Sequence, residues 1–203
     1  MRPISYPRKG GRHTGFNLFK NGDQLFDEGL DLINRKNFAK ARDKFSDAIE
    51  KECSKAALAR LYMALINVSN NRGNPGYYKS IGTILAQNDF GTFKFCLVDV
   101  PAAELRTECE LSATEIEASN FNGPYMEKGQ KLLAAAARYQ SEIGDRPLHF
   151  EEMFNGTTNV TGARESLILQ AMAYETLGRG AVYDDPKQGA EYMQMAYNLP
   201  RMI

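Results

Sequence analysis

The chain has 203 residues, enough to bury a substantial core as one domain or as two small ones. Its 25 basic and 25 acidic side chains cancel, which excludes the overall positive charge of a dedicated nucleic-acid binder and leaves charge-driven recognition to local features. Cys53, Cys96 and Cys109 share no close spacing and only His13 and His149 could assist them, so neither a structural metal nor a cofactor is expected.

The first residues, MRPISYPRKGGRHTG, carry no apolar run of the kind that forms a secretory signal, and no later segment approaches a membrane span. Cytoplasmic residence is therefore the expectation, and the three Asn-X-Ser/Thr matches at Asn67, Asn155 and Asn159 are read as chance. Arg2, Arg8, Lys9, Arg12 and Lys20 are unopposed by any acid through residue 20. With two prolines and Gly10-Gly11, residues 1–18 read as a basic flexible arm, either a solvated tail or a contact for an acidic partner or nucleic acid. Residues 19–203 read as a single helical domain.

The first predicted helix spans about 19–35 and the second runs from Asn37 to about Glu50. The short Arg35-Lys36-Asn37 turn makes them antiparallel neighbours. Gly29, Ala41 and Ala48 are small where the two would cross, while Leu25, Leu32, Phe38 and Phe45 supply bulk around the crossing. Apolar spacing predicts a third helix over Ala56 to Ser69, and Pro75 opens a fourth that runs to about Gln87. The run FGTFKFCLVDV, Phe90 to Val100, is aromatic and β-branched but has no second strand-like run to pair with, so a helical or irregular form is expected. Asp99-Val100-Pro101 then reads as a capped helix start leading to about Ser119. The six acids from Asp99 to Glu117, opposed by Arg106 alone, suggest a solvated face or a dock for the basic arm.

Asn122-Gly123-Pro124 begins a helix that carries Ala134 to Ala137, small enough for close packing, and ends near Gly144. A short helix is expected around His149 to Phe154. Gly156 to Gly162 lacks the Lys-Ser/Thr ending of a phosphate loop, so Thr161 is read as a helix cap, with Arg164 near a weak anion site as the alternative. The last pair spans about Thr161 to Leu177 and Pro186 to Leu199.

The spacing of Leu25, Gly29, Leu32, Ala41, Phe45 and Ala48 resembles the tetratricopeptide repeat, with Cys53 where that pattern closes on proline. A weaker echo runs through Ala171, Tyr174, Gly178, Gly189, Met193 and Ala196. The resemblance implies an all-α, right-handed superhelical stack of helical hairpins with roughly eight main helices. It also implies a scaffold that binds a protein segment in a groove lined by the first helix of each pair: Asp23, Phe26, Leu30, Ile33 and Asn34 in the opening repeat, Glu165, Ile168, Met172 and Glu175 in the last. Tyr192, Met195, Leu199 and Met202 leave the final helix little polar circumference, which predicts self-association or a covering partner. The alternative function is a regulatory module whose basic arm contacts nucleic acid or an acidic partner. His149, Glu151 and Glu152 form no recognised nucleophile–base pattern, so no enzyme is expected.

Overall fold

The computed structural model describes residues 20–199, so the basic arm and Met202 lie outside the described residues. The fold is all-α with a small β-hairpin. In chain order it runs α1 (Gly22–Asn34), α2 (Phe38–Glu50), α3 (Ala56–Asn70), α4 (Pro75–Gln87), β1 (Thr92–Phe95), β2 (Val98–Pro101), α5 (Ala102–Ser119), α6 (Tyr125–Arg138), a π-helical turn (Tyr139–Ile143), α7 (His149–Asn155), α8 (Gly162–Ala181) and α9 (Pro186–Asn198). No helix among the described residues is long and apolar enough to cross a membrane.

Asn21 starts α1 with a capping box, its side chain accepting from Gln24 N while the Gln24 side chain accepts from Asn21 N. The α1–α2 crossing has the predicted small-on-large form. A Cβ on Gly29 would lie 2.5 Å from the Phe45 ring, so only glycine lets the helices close on that ring. Phe45 in turn stacks on Tyr62 of α3 at 5.2 Å and meets Phe26 at 5.5 Å. Helices α1 to α4 pack each on its predecessor, and α4 packs against α5.

Residues 92–101 are a correction to the expected helical or irregular segment. They form an antiparallel hairpin with Phe93 opposite Val100 and Lys94 opposite Asp99. Cys96 and Leu97 turn it with φ of 49° and 68°, the paired positive φ of a type I′ turn. Both strands lie inside the one apolar run apart from Pro101 at its end, and the run therefore pairs with itself. Phe93, Phe95 and Val100 face the core, and Tyr62 Oη donates to Lys94 O at 2.7 Å. Asp99 does not cap α5 as expected: it pairs with Lys94 at 2.9 Å, and the helix begins after Pro101.

Two hydrophobic clusters result. The first joins α1 to α5, the hairpin and two side chains of α7, Phe150 and Met153. The second is built on Leu111, Leu132, Ala135, Ala136, Tyr139, Leu169 and Ala173, where α8 lies against α6 and the π turn. Helix α5 contributes to both. Helix α9 closes the chain on α8 through Gly189, whose Cβ would stand 3.0 Å from Val182 Cα. Thr161 caps α8 as expected, its hydroxyl accepting from Arg164 N at 3.2 Å.

Candidate functional site

The two predicted groove segments behave differently. On α1, Phe26 and Ile33 are each only 1% exposed, so neither lines an open groove, which corrects the expectation for these two anchors. They share the apolar stripe of Gly22, Leu25 and Gly29 and fill the first cluster. Leu30 is half-buried against that cluster, and Asn34 is exposed. Asp23 is exposed and fixes the start of α3, accepting from both Ser54 N and Ser54 Oγ at 2.8 Å. Those bonds hold its carboxyl below the usual range.

On α8 the predicted residues remain accessible. Ile168 and Met172 are 42% and 41% exposed, and Glu175 is exposed one turn further on. Glu165, Ile168, Met172 and Glu175 follow i, i+3, i+7, i+10 spacing, so they form one side of the helix, away from the buried Leu169, Ala173 and Leu177. The α1 and α8 sets belong to different clusters and are not joined in one groove.

Glu165 is half-buried at the edge of a cleft of about 210 Å³ that sequence reasoning missed. Helix α5 sends in Glu108, Ser112 and Glu115, the π turn Tyr139, α7 Glu151, and the α3–α4 loop Arg72. Tyr139 Oη donates to Glu115 Oε2 at 2.8 Å, while burial raises the Glu115 carboxyl. Glu108, 2% exposed, accepts from His149 N at 2.8 Å and Phe150 N at 2.9 Å and so pins the first turn of α7 to α5. Burial pushes its carboxyl up to about 8 against those two donors, and burial together with Glu115 and Glu151 pushes Glu165 to about 7. Arg72, the cation of this lining, is held by Glu151 at 2.6 Å and lies over the Phe154 ring. The acidic run of α5 is thus not simply a solvated face. Glu104, Glu110 and Glu117 pair with Arg146, Arg106 and Lys79, and Glu108 and Glu115 turn inward.

The residues of the expected self-association or capping surface are placed differently from one another. Tyr192 stacks on Tyr174 at 6.4 Å and Leu199 is half-buried, whereas Met195 is 48% exposed. His149 uses its backbone for Glu108 and points Nε2 at Glu104 Oε2, 3.3 Å away. Cys53, Cys96 and Cys109 are free thiols, the latter two pushed up by burial. Among the described residues, no group of three or more His, Cys, Asp or Glu side chains is arranged to hold a metal. No family model, curated protein or solved structure matches the chain.

Proposed function

We propose that this protein is a non-enzymatic interaction scaffold of the tetratricopeptide-like type, binding a protein segment along the open side of α8. The carrying observation is where apolar surface is left exposed. Among the described residues, Leu97 apart, the exposed large hydrophobic side chains lie at the start of α6 and from α8 to α9: Tyr125, Met126, Ile168, Met172, Val182, Tyr183, Met193, Met195 and Tyr197. The first cluster, by contrast, buries its own aromatic side chains. The packing of α1 on α2 and of α8 on α9 supports helical hairpins as the building units in the same reading. Ile168 and Met172 would seat the apolar residues of a bound segment, and Glu165 and Glu175 would select its charge.

A photo-crosslinking side chain at position 172, compared with one at the exposed Lys40 of α2, tests this in the cells that make the protein. Discrete protein adducts at 172, absent at 40 and abolished by Ile168→Asp, are expected. The same adducts from both positions would refute it.

A further inference from the structure

Resting on the reading of α8 as a docking side, we propose that the segment docked there is the same helix of a second copy, laid antiparallel about a twofold axis level with Leu177. Along the open side of α8, Ile168, Met172, Glu175, Arg179 and Val182 recur at alternating steps of four and three, the spacing of a coiled-coil seam. All five are exposed, Val182 at 44%. Val182 N still donates to Gly178 O at 3.1 Å, so the seam keeps its helical register to that residue. The fold is packed from the opposite side, through Leu169, Ala173 and Leu177.

The order of these residues makes the seam self-complementary. In the antiparallel pair Glu175 meets the partner's Arg179, Arg179 meets the partner's Glu175, and Met172 closes on the partner's Val182 at either end. Among the described residues neither Glu175 nor Arg179 has an ion-pair partner within its own chain, so both are free for these contacts. Other alignments fit less well. A parallel pair sets Glu175 on Glu175 and Arg179 on Arg179. Sliding the antiparallel pair by one step of the seam sets Met172 against Glu175 in one direction and Arg179 against Val182 in the other, which presses a charge onto an apolar side chain. A slide of two steps toward the N-terminus joins Ile168 to Met172 but sets Glu175 against Glu165 and leaves Arg179 without an acid. Near the axis both flanks are apolar. A Cβ on Gly180 would lie 2.8 Å from Tyr125 Cβ of α6 and one on Gly178 would lie 2.9 Å from Met193 Cγ of α9, and these two side chains are 56% and 42% exposed. From Met172 to Val182 the seam rises about 15 Å, a short contact, so the dimer should form and dissociate with concentration.

Sedimentation of the full chain across a concentration series tests this. The parent should pass from 22.7 kDa toward twice that mass. Glu175→Arg and Arg179→Glu should each hold the chain at the monomer mass, because each sets like charges across the axis. An equimolar mixture of the two variants should recover the dimer, since every pair across the axis is then opposite in sign. The chain carrying both substitutions should recover it alone. Recovery also shows that each variant is folded, as their exposed positions lead one to expect. A parent that stays monomeric throughout, a dimer that survives both reversals, or reversals rescued by neither the mixture nor the doubly substituted chain would overturn the proposal. A monomeric parent with adducts to other proteins at position 172 and none at 40 sinks this inference and leaves the scaffold reading. A dimer that obeys the reversals, with the same adducts to other proteins at both positions, keeps this inference and sinks the external partner.

Discussion

Replacing Glu108 by glutamine should make the protein more stable at alkaline pH and remove much of its pH dependence. The carboxyl titrates near its ordinary value of 4.5 in the unfolded chain and near 8 in the fold, because burial penalises the charged form more than the His149 and Phe150 amides favour it. Between those values the folded state binds a proton that the unfolded state has lost. Stability is therefore full below the unfolded value, declines as pH rises through the interval, and levels off once Glu108 ionises in the fold. The interval corresponds to about 5 kcal/mol at about 1.4 kcal/mol per pH unit, an upper figure for one group. Glu165, raised to about 7, and Glu115 act in the same direction, so a residual decline survives the substitution. The two amides bond to separate oxygens of Glu108, so glutamine keeps an acceptor for one of them and turns its NH2 toward the other, at a pH-independent cost of roughly 1–3 kcal/mol that trims the alkaline gain. Glu108→Leu orphans both and should be less stable than the glutamine variant at every pH. Urea unfolding at roughly pH 5.5 and roughly pH 9 measures all three proteins. A parent stability that is flat or rising over that range, or a glutamine variant that follows the parent's decline, refutes the assignment.

Phe45→Ala should destabilise by about 3–5 kcal/mol, because the ring joins Phe26 and Tyr62 and fills the space over Gly29; denaturant midpoints measure it. Gly29→Ala forces a methyl into that ring and should cost about 1–3 kcal/mol, an effect that a second substitution, Phe45→Leu, should partly reverse. Leu97→Gly should raise the melting temperature, by up to about 1 kcal/mol of stability, since Leu97 is exposed and held at a φ of 68°. Asn21→Ala removes the α1 capping box and should cost about 1 kcal/mol with no change in the slope of the denaturation curve.

The helices were legible because their apolar residues recur at helical spacing and their ends carry punctuation. Pro75 opens α4 and Thr161 caps α8 where the sequence places them. The β-hairpin was hidden because both of its strands lie, apart from Pro101, in one apolar run and its turn is Cys96-Leu97 rather than Asn-Gly. The α1 anchors failed for a different reason. Phe26 and Ile33 lie on the stripe that buries Gly29, and a family's inward positions do not reveal which side of α1 this chain covers. The cleft draws on residues from Arg72 to Glu165, so no local motif records it. One signal was present: Glu108 lies three residues from both Leu105 and Leu111, on the buried stripe of α5, where a carboxylate must find donors.

Those donors show why the cleft lies where it does. Residues 147–161 leave the second cluster, where Leu148 and Val160 pack and Leu148 N donates to Val160 O at 2.8 Å. They cross to the first cluster with Phe150 and Met153, and Lys36 Nζ grips Phe154 O at 3.1 Å. The crossing brings amide hydrogens of the first turn of α7 against α5, and Glu108 is the acceptor on that face. A carboxyl group is thus buried at the joint between the two clusters because the backbone there needs an acceptor, and Glu115, Glu151 and Glu165 gather around the same joint. The acidity of the cleft follows from how the two halves are fastened, and the open side of α8 begins at its edge.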